Sequence, residues 1–301
     1  MSVLAIVAAL ILEQWRPLGD RKAYFAVLAR WANWLERSFN AGEARHGSIA
    51  WLVAVLPALA AALALHFALL WVDPLLALVF NVGALYLTLG FRQFSHYFTD
   101  LQLAIRAGDV DRARELIGAW RGEPAQHRSR EEVIRLAIEE ALVASHRHVF
   151  GVLFWYLLLP GPSGAILYRL ALFLRRRWQG LGAFGAFAER VVRVLEWPAV
   201  RLTAASFAVV GDFEDAIYCW RTQARSWSDP DAGVVLAAGA GALGVRLGMP
   251  LTAIDGVEVR PELGLGENAD SPFLDSVVGL VWRALVVWVF VLVVMALSRA
   301  F

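Results

Sequence analysis

The chain has 301 residues, of which 59% are apolar and only 18% charged, with a net charge of +1. Soluble globular chains carry about 25% charged residues, so the composition excludes an ordinary soluble domain, a disordered chain and a basic nucleic-acid surface. A lone cysteine, Cys219, excludes an internal disulfide and a cysteine-based zinc site.

The spans follow in chain order. Val3–Leu12 is a short apolar run ended by Glu13. It lacks the basic start and small-residue cleavage site of a signal peptide, and reads as a partial or tilted membrane helix. Ile49–Val72 and Leu75–Gly90 flank Asp73-Pro74 and predict a transmembrane hairpin. Phe91, Phe94, Phe98, Leu101 and Ile105 recur at helical spacing and predict an amphipathic helix. Asp109 is positioned to cap a helix over Val110–Ala119, and Ser129 with Glu132 forms a capping box for a helix through Ala144. Val149–Leu174 is apolar but broken at Pro160-Gly161-Pro162, which predicts either one kinked span or a re-entrant hairpin. Val191–Val210 carries Arg193, Glu196 and Arg201 and suits an interfacial or bundle-facing helix. Residues 211–276 hold eleven acids against four Arg and several Pro and Gly, and read as a polar domain or long loop. Val277–Leu297 is the clearest span, with a single charge at Arg283.

Basic residues accumulate on the cytoplasmic face of membrane proteins. Arg16, Arg21, Lys22, Arg30, Arg37 and Arg45 precede the hairpin, and nine Arg between Arg92 and Arg147 follow it. Both flanks are therefore expected in the cytoplasm.

Few motifs carry chemistry. Gly239-Ala-Gly241-Ala-Leu-Gly244 matches the dinucleotide fingerprint by letter, but Met249-Pro250 stops any long helix after it and no strand-helix-strand pattern surrounds it. A glycine-rich backbone that closely approaches a neighbour is the better reading. No metal spacing links the six histidines. No nucleophile elbow or phosphate-binding loop is present.

The order of several segments is familiar. Arg106-Ala-Gly-Asp-Val-Asp-Arg-Ala-Arg114, Leu153-Phe-Trp155, Gly161–Gly164 with Tyr168-Arg169, Phe184-Gly185, Trp197–Ala204 and Ala238–Gly248 resemble, in sequence, motifs of the CobD/CbiB family of cobalamin-biosynthesis membrane proteins. The resemblance implies a reaction that joins an amino alcohol, or its phosphate, to adenosylcobyric acid through an amide bond. ATP and Mg²⁺ are expected only if that synthase chemistry holds. Several polar positions of the synthases differ. Leu142–His148 replaces a stretch bearing Glu, Asn and Asp, Leu170–Leu174 replaces Asn-Thr-Leu-Asp, Val192-Arg193 replaces two Asp, and Arg121–Pro124 replaces Gly-Arg-Asp-Thr. These losses, and the opening Leu10–Gly19, are similar to the AmpE-type branch, which implies a regulatory or accessory role in cell-wall recycling or β-lactamase induction.

The sequence therefore predicts an all-α, polytopic helical protein of the bacterial inner membrane. Its expected parts are an N-terminal helix and hairpin (1–91), a cytoplasmic helical region (92–148), a broken membrane segment with an interfacial helix (149–210), a polar acidic region (211–276) and a C-terminal span (277–301). The main functional expectation is an AmpE-type protein, with the amide-forming synthase as the alternative. Glu139, Arg169, Arg201, Arg246, Gly241 and Gly244 are the retained ligand-binding candidates; no metal ligand and no catalytic residue is assigned. The expected partners are the lipid bilayer and a membrane or cell-wall recycling protein, not nucleic acid.

Overall fold

A computed structural model describes residues 2–15, 22–253 and 256–298. Arg16 and Arg21 of the basic count, and Arg16–Gly19 of the opening motif, lie outside the described residues. The chain is helical almost throughout and divides into two compact units, Met1–Gly90 with Gly151–Ala199 and Phe91–Phe150 with Val200–Phe301.

The first unit holds α1 (Ser2–Trp15), α2 (Lys22–Phe39), α3 (Ala44–Val72), α4 (Pro74–Thr88), α8 (Gly151–Leu158), α9 (Ser163–Trp178) and the start of α10 (Ala186–Val210). The expected hairpin is α3 and α4. Asp73 makes the turn: its carboxylate accepts from Leu75 N–H at 2.6 Å, and Pro74 occupies the first helical position, where a missing N–H costs nothing. Inside the hairpin, buried Asn81 donates to Ala77 O at 2.7 Å and lies 3.1 Å from His66 Nδ1. An amide among apolar helices needs such partners, because an unmet polar group there costs several kcal/mol, roughly 2–7.

The Pro-Gly-Pro break resolves into a helical hairpin rather than a kinked span. Gly151 of α8 lies against the Tyr168 ring of α9, and Gly164 of α9 lies against the Trp155 carbonyl of α8. Contacts that close in toward the turn require antiparallel helices. Trp155 Nε1 donates to Leu195 O at 3.1 Å and ties the hairpin to α10.

The second unit holds α5 (Phe91–Arg106), α6 (Val110–Arg121), α7 (Arg130–Ser145), the remainder of α10, α11 (Phe213–Gln223), α12 (Pro230–Leu243), five short strands and α13 (Ser271–Ser298). Asp109 accepts from Arg112 N–H at 2.9 Å, and the Ser129–Glu132 capping box forms in both directions. We expect Ser129→Ala to lower stability by about 1 kcal/mol, read as a fall in the thermal midpoint; an unchanged midpoint would show that the cap is dispensable.

The strands β1 (Val245–Gly248), β4 (Glu262–Leu263) and β5 (Glu267–Asn268) form one small sheet in the order β4-β1-β5, antiparallel then parallel. β2 (Leu251–Ala253) and β3 (Gly256–Glu258) form a separate antiparallel pair. The region 211–276 thus forms, in its described residues, α11, a 3-10 turn at Ala224–Ser226, α12, these strands and the start of α13. Its core is α12, in which Val234–Ala242 is buried without interruption. Alanine and glycine make this helix, so its apolar character is diluted by the acids around it in a composition count.

No helix end falls at residue 148. Arg130–Leu158 is one helical run of 29 residues, with a single π-turn at His146–Phe150. The polar triplet His146-Arg147-His148 interrupts the hydropathy pattern but not the backbone. Among the described residues, three helices are long and apolar enough to cross a membrane: Ala44–Val72, Arg130–Leu158 and Ser271–Ser298. The last includes the predicted Val277–Leu297. Ser2–Trp15, Pro74–Thr88 and Pro230–Leu243 are shorter apolar helices.

Cys219 is fully buried on α11. Burial first, and Asp215 second, push its thiol up to about 11. Raised above its ordinary value, the thiol stays protonated at pH 8, with about a thousandth as thiolate. We expect maleimide to leave Cys219 unlabelled in the folded protein and to label it fully in detergent-denatured chain, read by mass spectrometry. Rapid labelling of the folded chain would contradict the burial.

Candidate functional site

One face of α7 carries Glu132, Arg135 and Glu139, spaced by three and four residues so that they stack along one side. All three are buried, at 7%, 3% and 3% exposure. Buried charges need specific partners, and here the partners come from the segment after α12. One Glu139 oxygen accepts from Gly248 N–H at 2.8 Å, and the other is paired with the Arg260 guanidinium. Arg135 donates to Pro250 O at 3.0 Å and lies 3.6 Å from Met249 Sδ. Glu132 accepts from Ser129 N–H and Thr252 N–H. Arg128 donates to Thr252 O and pairs with Glu258 at 3.0 Å.

The turn these groups hold is strained. Gly248 adopts φ 69°, and Met249 adopts φ 62° immediately before a proline. Left-handed backbone at a bulky residue costs about 1–2 kcal/mol. Gly248 is required at its position, because a Cβ there would overlap the Pro261 carbonyl oxygen. Arg260 stacks over the Trp227 ring, 4.7 Å from its centroid.

The retained candidates fall into three groups. Glu139 is at the centre of this cluster. Gly244, Gly241 and Arg246 belong to the segment that leads into it. Gly244 closes α12 in the left-handed conformation. Gly241 has no room for a side chain, since a Cβ would come within 2.8 Å of Ala216 Cα on α11. Gly239 similarly faces Leu142 of α7, its Cβ position 2.8 Å from Leu142 Cδ1. The glycine run therefore lies inside a helix and serves close packing, not a phosphate turn. Arg246 pairs with Glu262 across the β1–β4 ladder at 3.6 Å. Arg201 sits on α10, half-buried, two residues before Thr203, which hydrogen-bonds His146 at 2.9 Å. Arg169 lies on α9 in the other unit, beside buried Tyr168. Tyr168 donates to Glu196 at 3.3 Å, and Glu196 also pairs with Arg175 at 3.3 Å.

Arg135, Arg260, Met249 and Trp227 were not among the sequence candidates. The 132/135/139 spacing is a readable stripe, but alternating charge on a helix ordinarily marks a solvated face. Nothing local in the sequence of Arg260 shows that it reaches Glu139, 121 residues away.

A second polar group surrounds the π-turn. Beside the His146–Thr203 pair, Arg147 pairs with Asp229 at 3.1 Å, and Asp229 also caps α12. His146 and Arg147 lie in the Leu142–His148 stretch singled out in the sequence. Among the described residues, no group of three His, Cys, Asp or Glu side chains is arranged to hold a metal ion.

The chain matches the family model described as CobD/Cbib protein over residues 6–276. It is 35% identical to the cobalamin biosynthesis protein CobD of Stutzerimonas stutzeri across 97% of both chains. It is 36% identical to the protein of the same name from Chromobacterium violaceum, over 71% of this chain and 70% of that one. The Mycobacterium tuberculosis protein of that name is 37% identical over 28% of this chain and 29% of its own. No solved structure matches. With the family match covering most of its length, including the whole Glu139 cluster, the chain belongs to the CobD/CbiB family.

Proposed function

We propose that the protein is a multi-pass inner-membrane component of cobalamin biosynthesis, and that it forms an amide bond between a corrinoid carboxylate and an amino alcohol or its phosphate. The observation that carries this reading is 35% identity sustained over 97% of both chains with a relative named for that pathway. ATP activates the carboxylate in such a reaction. Mg²⁺ enters this reading on the phosphates of ATP.

The chain's own contribution is positioning. Glu139 and Arg135 hold the Gly248–Pro250 turn, and Arg169, Arg201 and Arg246 are the further ligand-binding candidates. A buried, water-poor cluster strengthens each polar contact made there.

A second reading, an AmpE-type accessory protein of cell-wall recycling, is favoured by one observation. His146 and Arg147 stand in the stretch where the synthases carry acids. One experiment separates the two. Expressed in a synthase-deficient strain, the chain is expected to restore growth that depends on corrinoid assembly. Failure to restore it, with altered β-lactamase induction on deletion, would favour the second reading.

A further inference from the structure

Two guanidinium groups in the Glu139 cluster are only partly satisfied. Arg135 uses its terminal nitrogens on Pro250 and Met249, yet its buried Nε has no acceptor among the described residues. Arg260 gives one terminal nitrogen to Glu139, yet its buried Nη1 has no acceptor among the described residues. The two groups are near enough to interact electrostatically, and Arg135 is 3% exposed while the Arg260 side chain is 10% exposed. An unmet buried N–H on a cation is among the most expensive polar defects in a fold. Two such defects in one cluster call for an acceptor that brings negative charge.

The surroundings point the same way. The Trp227 ring covers one face of the Arg260 guanidinium, which leaves the in-plane N–H edge as its binding surface. Among the described residues, Glu132 accepts from two backbone N–H groups, and Glu258 pairs with Arg128. The strained Met249 turn sits directly on Arg135. Strain of this kind persists only when its surroundings over-determine it, and it gathers at ligand clamps.

We propose that Arg135 and Arg260, fixed by Glu139, Trp227 and the Gly248–Pro250 turn, form an oxyanion subsite that takes a phosphate or carboxylate group of a ligand. The anion enters from the side of Arg260, the more exposed of the two, and supplies acceptors to Arg260 Nη1 and Arg135 Nε. Arginine suits this task because its planar fork matches both oxyanions. This inference concerns the same cluster but does not depend on the amide-forming reaction.

The test is equilibrium dialysis of the full chain in detergent with radiolabelled inorganic phosphate and, separately, radiolabelled acetate, at constant ionic strength. One saturable site per chain is expected for at least one probe, and the preferred probe tells phosphate from carboxylate. Arg260→Gln and Arg135→Lys are each expected to weaken binding about tenfold to a hundredfold. Arg112→Gln, at an exposed pair with Glu115, is expected to leave it unchanged. As a measurement on the wild-type chain, the preferred anion is expected to protect Arg260 from phenylglyoxal, mapped by mass spectrometry. No saturable binding of either probe would overturn the proposal. So would binding that survives in both folded variants, or labelling of Arg260 that the anion does not slow. Binding is read without corrinoid or turnover. Failed complementation with intact anion binding would therefore count against the proposed reaction alone.

Discussion

Glu139→Ala is expected to destabilise the protein by about 3–5 kcal/mol, the range for removing one partner of a buried ion pair. Two groups lose their acceptor at once. Gly248 N–H and the Arg260 guanidinium both face Glu139, in a cluster largely closed to water. The measurement is the thermal midpoint in detergent, together with the yield of monodisperse protein. Glu139→Gln is expected to fall between wild type and alanine, because its amide oxygen still accepts from Gly248 but no longer neutralises Arg260. Glu123→Ala removes half of an exposed pair, with Glu123 at 3.5 Å from Arg121 and 68% exposed, and is expected to change stability by less than about 1 kcal/mol. Adding Arg260→Met to Glu139→Ala is expected to recover part of the loss, since an apolar side chain leaves no buried charge behind. Equal shifts for Glu139→Ala and Glu123→Ala would show that the cluster carries no special energy.

Gly164→Ala is expected to be nearly as damaging, for a purely steric reason. A methyl group on Gly164 would overlap the carbonyl of Trp155, and that carbonyl belongs to a helix backbone that cannot swing aside. Overpacking ordinarily costs 1–3 kcal/mol, with larger values where the obstacle is rigid, so a loss of about 3 kcal/mol is expected. Gly83→Ala supplies the comparison. Gly83 also lies inside a helix, α4, but nothing stands within 4 Å of where its Cβ would be. Replacing it is expected to gain about 0.5–1 kcal/mol from helix propensity alone. Opposite signs for the same chemical change, read as thermal midpoints, test the α8–α9 hairpin directly. No loss at Gly164 would contradict it.

Much of this architecture was readable because its signals are local. Asp73-Pro74 specifies its turn within two residues, Asp109 and Ser129 specify helix starts within four, and the C-terminal span announces itself by composition. The family resemblance rested on short motifs in order and proved sound, whereas its AmpE-type refinement gained no support from the relatives. The choice between a kinked span and a hairpin was not readable. It is decided by glycines at 151 and 164, whose meaning depends on what faces them. The same limit hid α12: glycine-rich letters suggest loops unless the partner surfaces of Leu142 and Ala216 are known. Of the candidate site, Glu139 was legible and Arg260 was not, because charge pairing over 121 residues leaves no periodic trace.

The two units have a consequence for synthesis. Neither is contiguous in sequence: the first closes only when Gly151–Ala199 joins Met1–Gly90, and the second begins before the first is complete. A nascent chain that has reached residue 150 contains neither unit whole. The early helices must therefore wait in the bilayer or with a chaperone, because domains otherwise fold as units in order of emergence. Splitting the gene at residue 150 divides both units, so co-expressed halves would have to find each other before either could bury its core, whereas a split at residue 90 divides only the first.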